Sequence, residues 1–144
     1  MYMSHFRRVG SSERALELFY DAQRRGLSLN VISYNSAISA CARSRGGWRQ
    51  ALELLDEMRE MRGITPNVIS YNSVISACEK GGEWQRAVDM LAEMRRRGVA
   101  PNVISYNTAI SACEKGKQWK RALDLLDEIR RRGLEPDQRS YNAA

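Results

Sequence analysis

Apolar positions recur along this chain in two alternating patterns. Segments such as Val68-Ile69-Ser70-Tyr71-Asn72-Ser73-Val74-Ile75-Ser76-Ala77-Cys78 interleave apolar with small polar residues. Segments such as Trp84 to Arg97 instead set Ala87, Val88, Leu91 and Met94 on one stripe of a helix, with charges around the rest. The alternation predicts helix, turn, helix and a Pro-containing turn. Asn67, Asn102 and Asp137 each follow a proline and precede an apolar run, where an N-cap side chain satisfies the free amides of a first helical turn. Gly81-Gly82 breaks the first helix of the pair. Gly98 ends the second in a left-handed C-cap, and Pro101 prevents its resumption.

The whole pattern repeats. Val-Ile-Ser-Tyr-Asn begins at Val31, Val68 and Val103 and returns in part at Ser140-Tyr141-Asn142. A self-similarity of about 35 residues marks a solenoid, in which each unit buries its apolar face only against its neighbours. The predicted fold is therefore all-α, an α-solenoid of stacked helix-turn-helix repeats. Three whole units can be cut, at residues 31–67, 68–102 and 103–137, with lengths of 37, 35 and 35 residues. Residues 1–30 hold a partial unit, in which Glu13 to Asn30 matches a second helix only, and residues 138–144 start another. The first unit carries two single-residue insertions, one before Trp48 and one before Gly63. Because the chain begins and ends inside units, with no polar capping helix, it is expected to be a piece of a longer array.

Placed on a wheel, the first helix of each unit divides into two faces. Val31, Tyr34, Ala37, Ile38 and Cys41 form the packing side. Ile32, Asn35, Ser36, Ser39 and Arg43 form the other, and the set recurs as Ile69, Asn72, Ser73, Ser76 and Lys80, then as Ile104, Asn107, Thr108, Ser111 and Lys115. Asparagine inside a helix is unfavourable by several tenths of a kcal/mol relative to alanine, yet Asn35, Asn72 and Asn107 hold the same slot. Two readings account for that. The amides form a hydrogen-bonded ladder that fixes the stacking of helices, or they form a row whose donors and acceptors match the edges of nucleobases. In the second reading Ile32, Ile69 and Ile104 sandwich the flat rings, and Arg43, Lys80 and Lys115 meet the phosphates. The closing residues Asn67, Asn102 and Asp137 stand at the mouth of the next helix, within reach of the same ligand.

Charge and chemistry adjust this picture only slightly. The net charge of +6, from 23 Lys plus Arg against 17 Asp plus Glu, favours a polyanionic partner. The arginine runs at 95–97 and 130–132 fall in last helical turns, where cations complement the carbonyl end, and Trp48, Trp84 and Trp119 open second helices as packing residues. Cys41, Cys78 and Cys113 recur once per unit without a CxxC pair, and His5 is the single histidine. They read as small core residues in a reducing compartment, so neither a metal nor another cofactor is expected. No run of 18 apolar residues exists, which removes a membrane-spanning helix. The carboxylates Glu53, Asp56, Glu57, Asp89, Glu93, Asp124, Asp127 and Glu128 read as solvated faces of second helices. With no paired acids and no phosphate loop, neither an enzyme nor a small-molecule substrate is expected.

Together the 35-residue period, the Ser-Tyr-Asn segment, the Ala-Leu-Glu-Leu-Leu-Asp-Glu-Met second helix at Ala51 to Met58 and the Gly-x-x-Pro-Asn/Asp ending resemble the pentatricopeptide-repeat family, in its simple all-35-residue class. The resemblance covers Glu13 to Ala144. It implies a right-handed superhelix that binds single-stranded RNA, one base per unit, in organellar RNA processing, stability or translation. A mitochondrial or plastid location and further RNA-processing proteins as partners follow from the same likeness. It also implies a rule by which the fifth and last residues of a unit select the base. Carried over, the pairs are Asn35 with Asn67, Asn72 with Asn102, and Asn107 with Asp137. Asn-Asn is associated with pyrimidines and Asn-Asp with uracil, giving a 5′-pyrimidine-pyrimidine-U-3′ preference. An insertion in the first unit puts its letter in question if it displaces Asn67 from Asn35. The competing expectation is a protein-binding scaffold of the tetratricopeptide type. A peptide groove is expected to vary from unit to unit, whereas this face repeats residue for residue.

Overall fold

The computed structural model describes residues 2–61 and 63–134, with side chains from residue 12 onward. Asp137 and the segment 138–144 lie outside the described residues. The chain is an all-α solenoid, with seven α-helices among the described residues: α1 (Tyr2–Arg24), α2 (Val31–Cys41), α3 (Trp48–Glu60), α4 (Val68–Lys80), α5 (Trp84–Arg96), α6 (Val103–Lys115) and α7 (Trp119–Arg131). Among the described residues there is no strand, and no helix is long and apolar enough to cross a membrane.

The first helices start where an asparagine is available to cap them. Asn30, Asn67 and Asn102 have extended backbones, and each side chain accepts from the backbone N–H three residues on, at Ser33, Ser70 and Ser105. Each serine returns the bond by accepting from the asparagine N–H, which completes a capping box. A cap of this kind contributes about 1 kcal/mol per helix. The second helices stop in a different way. Gly98 takes a φ of 81°, its N–H bonds Arg95 O at 3.0 Å and Val99 N–H bonds Met94 O at 2.8 Å, the two bonds of a Schellman turn. The same turn closes α6, but there the left-handed position is filled by Lys117 at φ 59° where α4 uses Gly82 at 74°.

Packing is one-dimensional. α4 touches α2 and α6 on its own layer and α3 and α5 on the other, whereas α3, α5 and α7 stand farther apart from one another. That wedge puts the first helices on the inner side of the array. Equivalent residues build the core in every unit: Tyr34, Tyr71 and Tyr106, then Ile38, Ile75 and Ile110, are fully buried, facing Leu55 and Leu91 with Met58, Met94 and Ile129 from second helices. Each such side chain contributes about 1.5–3 kcal/mol of burial.

One close approach sets the pitch of the array. A Cβ on Gly81 would stand 2.4 Å from Trp48 Cδ1, and one on Gly116 the same 2.4 Å from Trp84 Cδ1. Each tryptophan thus packs on the inter-helix turn of the following unit, and the arginine two residues after the next tryptophan covers it: Arg86 lies 4.9 Å from the Trp48 ring and Arg121 5.2 Å from Trp84. The expected packing role is seen for Trp48 and Trp84, whereas Trp119 is 52% exposed among the described residues. The insertions of the first unit are absorbed outside the α-helices, in a 3-10 turn at Arg45–Gly47 and in the stretch after α3 ends at Glu60.

Candidate nucleic-acid interface

The asparagines of the inner layer are brought together in pairs by the stacking itself. Asn35 Nδ2 donates to Asn67 Oδ1 at 3.1 Å, and one unit later Asn72 Nδ2 donates to Asn102 Oδ1 at 3.1 Å. The fifth and last residues of a unit therefore touch directly. The equal distances also show that the insertion before Gly63 does not displace Asn67 from Asn35. The partner of Asn107, Asp137, lies outside the described residues; Asn107 itself is buried. The amides thus form the ladder of the first reading, and they stand in a row along the inner layer.

Between these pairs the surface is hollowed once per unit. One hollow of about 500 Å³ has Ile32 and Ile69 on its walls with Asn35, Ser36, Ser39, Arg43 and Ser73 around it. The next, of about 280 Å³, has Ile69 and Ile104 on its walls with Asn72, Ser73 and Ser76. Ile69 is shared, so successive isoleucines face one hollow on each side. Their exposure is high for aliphatic side chains, 73% at Ile32, 58% at Ile69 and 56% at Ile104, and three exposed isoleucines in register form an unsatisfied apolar face rather than scattered surface residues.

The profile of the PPR repeat family matches residues 66–115 and 101–144, and that of the pentatricopeptide repeat domain matches residues 17–82. The chain belongs to the pentatricopeptide-repeat family. A curated relative, the Zea mays pentatricopeptide repeat-containing protein 10, chloroplastic, is 40% identical over 52 residues, which is 36% of this chain and 7% of the relative. The crystal structure of the pentatricopeptide repeat protein PPR10 in complex with an 18-nt psaJ RNA element superposes with a TM-score of 0.83 at 34% identity, over 94% of this chain and 20% of that one. The pentatricopeptide-repeat domain of Arabidopsis thaliana protein-only RNase P 1, solved in complex with tRNA, superposes with a TM-score of 0.80 at 19% identity, over 92% of this chain and 69% of that one, and shares the fold. The chain thus spans a small part of the length of its maize relative.

The cations of the inner face of this pentatricopeptide-repeat array are not equivalent. Lys80 is exposed, and Arg43 is exposed with Nη1 3.4 Å from Ser12 Oγ. Lys115 instead forms an ion pair with Glu79, a carboxylate only 8% exposed that also accepts from Ser111 Oγ at 3.2 Å. In the first unit the position of Glu79 is held by Ala42. Sequence reasoning missed Glu79, and the available signal was the one acid of a first helix whose only other charge is Lys80.

The outer layer corrects the reading of the carboxylates. Glu53, Asp56, Asp89, Asp124 and Asp127 are exposed as expected, but Glu57, Glu93 and Glu128 are partly buried and bridge units. Gln23 Nε2 donates to Glu57 at 2.9 Å, Arg59 pairs with Glu93, and Arg95 pairs with Glu128. The physical reason is spacing: a residue eight after the stripe alanine of one second helix meets the acid six after that alanine in the next. Burial pushes the Glu128 carboxyl up, but the hydroxyl of Tyr106 at 2.7 Å with Arg95 and Arg132 outweighs it and holds the group below the usual range. Burial raises the thiols of Cys41 and Cys78 to about 11, which keeps them neutral.

Proposed function

We propose that this array binds single-stranded RNA along its inner layer, with residues 31–67, 68–102 and 103–137 each reading one base. The observation that carries the reading is the succession of hollows, each walled by two isoleucines with an asparagine pair at its side. The width between aliphatic walls suits a flat ring, and the pair Asn35–Asn67, or Asn72–Asn102, supplies hydrogen-bonding groups for its edge. Asn107 and Asp137 are assigned the same task in the third unit. Arg43 and Lys80 are assigned to phosphates, and Lys115 takes part once it leaves Glu79. A maize relative that is chloroplastic and a similar structure solved with an RNA element support this reading and an organellar setting, plastid or mitochondrion. No residue of the face is assigned a catalytic task, so binding is the activity proposed for this chain.

Each stacked and bonded base contributes on the order of 1–3 kcal/mol. Three units, after the RNA is ordered, then give an affinity in the micromolar range or weaker. Fluorescence anisotropy with short labelled RNAs at low salt and at about 0.15 M salt tests the proposal. Pyrimidine-rich RNA is expected to bind better than A-rich RNA at both salts. Equal binding that vanishes with salt would reduce the face to a basic surface and favour a protein-binding scaffold.

A further inference from the structure

We propose that the buried serine at the third position of each unit, Ser70 or Ser105, sets the orientation of the reading asparagine of the preceding unit and so limits its letter to pyrimidines. The inference rests on the base-reading proposal and deepens it. Its starting point is a donor that admits no ambiguity, the backbone N–H of Ser70. This N–H bonds Asn67 Oδ1 at 3.1 Å, which fixes the amide of Asn67 with its oxygen toward the helix. That oxygen then requires a donor from Asn35, and Asn35 Nδ2 supplies it at 3.1 Å. Asn35 Oδ1 is thereby turned the other way, onto the Ser70 hydroxyl, which donates to it. Ser70 Oγ in turn accepts from Asn67 N–H at 3.0 Å. Reversing the Asn35 amide would set two carbonyl oxygens against each other at the Asn67 contact.

The next unit repeats the circuit. Ser105 N–H bonds Asn102 Oδ1 at 3.1 Å, Asn72 Nδ2 bonds the same oxygen at 3.1 Å, and the Ser105 hydroxyl donates to Asn72 Oδ1. Ser33 is the internal contrast. Among the described residues none plays the part of Asn35 for it: its hydroxyl keeps only the contact to its capping asparagine, Asn30 Oδ1 at 3.0 Å, which Ser70 and Ser105 also make, at 3.1 Å, beside their bond to the reading asparagine. Ser70 and Ser105 are both fully buried, so neither is able to touch RNA. Their effect on a base must pass through the asparagine.

The consequence is a polarity for the reading edge. With both amide oxygens of a pair engaged by the helix start, what Asn35 turns to the hollow it lines is N–H, the second hydrogen of Nδ2, and the amide of the exposed Asn67 adds donors beside it. A donor edge that meets the Watson–Crick edge of a base selects those with two acceptors there. Cytosine offers O2 and N3 and uracil O2 and O4, while the Watson–Crick edges of adenine and guanine each carry one acceptor beside donors. Each letter is therefore completed by the unit that follows it, and Ser70 and Ser105 are positioning residues.

The test uses RNAs that carry a pyrimidine-pyrimidine-U triplet between abasic spacers, with adenine placed at the first or the middle letter. The wild-type chain is compared with Ser70→Ala and Ser70→Thr by anisotropy. In Ser70→Ala the pyrimidine preference is expected to fall about five- to tenfold, the factor of one hydrogen bond, at the first letter only, and Ser70→Thr, which keeps the hydroxyl, is expected to retain it. An unchanged preference at the first letter, or an equal loss at both letters, overturns the inference. A wild-type chain with no base preference overturns the base-reading proposal itself, before any variant is made. Should Ser70→Ala fail to fold, Ser105→Ala moves the same test to the middle letter. Side-chain amide exchange in the unmodified chain gives a further check: the Asn72 amide is expected to exchange more slowly than that of exposed Gln85, and equal rates overturn the inference.

Discussion

The inner and outer helices bury similar apolar stripes but spend their polar groups in opposite ways. Inside, short uncharged side chains meet in fixed pairs, Asn35 with Asn67 and Asn72 with Asn102, backed by buried serines. Outside, long charged side chains such as Arg59 with Glu93 and Arg95 with Glu128 span a wider gap between helices. A base needs donors held within a few tenths of an ångström, which short side chains on rigid helices provide. The spacing of units needs only attraction across a distance, which an ion pair provides. Under the proposed function, the division predicts that stability and base choice separate by layer.

The sharpest way to break that separation is to damage the outer layer alone. Leu91→Ala empties a fully buried site and is expected to destabilise the chain by about 2–5 kcal/mol, measured by urea unfolding. The remaining folded protein should keep its base preference. A shift in preference would show that the layers are coupled. The inner counterpart is Asn72→Ala. It loses the bonds to Asn102 and to the Ser105 hydroxyl and gains helix propensity in part compensation, so its stability is expected to fall by about 1–2 kcal/mol. Its RNA affinity should fall by roughly tenfold, with discrimination lost at the middle letter only.

The two layers also differed in how far they could be read without coordinates. The outer stripe is legible because Ala87, Leu91 and Met94 recur at helical spacing, and that spacing alone demands a buried face. The capping role of Asn67 and Asn102 is legible from the proline before each and the apolar run after it. The direct contact of Asn35 with Asn67 is only half legible: the repeat aligns the two positions, but whether they touch depends on how far one unit advances over the last. Ser70 carried no signal beyond recurring, since its burial arises from the packing of α2 on α4. The bridging acids were misread because Glu57, Glu93 and Glu128 sit beside basic residues of their own helix, a pattern that imitates a solvated face. Lys115 with Glu79 joins residues one unit apart, and in the first unit Ala42 removes the clue.

A smaller effect, shared by both layers, comes from pH. The thiols of Cys41 and Cys78 move from the ordinary 9.0 to about 11 on burial. Below 9 the folded and unfolded chains both hold these protons and stability is unaffected. Between 9 and 11 the unfolded chain releases protons that the folded chain keeps, so stability is expected to fall as pH rises. Urea midpoints across this range check the slope, which should flatten in Cys78→Ala. On the acid side the sign reverses. Glu128 is held below its usual range, so its contribution is present above that range and is lost as pH falls through the folded value.

The smallest expected effect concerns Glu79, the one acid buried on the inner layer among the described residues. Glu79 neutralises Lys115 and takes the Ser111 hydroxyl, so the third unit presents less positive charge to a phosphate than the second, whose Lys80 has Ala42 in the place that Glu79 holds for Lys115. Glu79→Gln keeps the shape and an acceptor for Ser111 while releasing the lysine. RNA affinity at low salt should then rise modestly. The plot of log affinity against log salt should steepen by about 0.7 for one added phosphate contact to a single strand. The base preference at the middle letter should not change, because the Asn72 pair does not involve Glu79. If the slope stays the same, Lys115 does not reach a phosphate, and its ion pair with Glu79 joins those of the outer layer as a device for spacing units. If the slope steepens, Glu79 is a brake on backbone affinity that leaves base discrimination intact, and the inner layer then separates affinity from selectivity within one helix face.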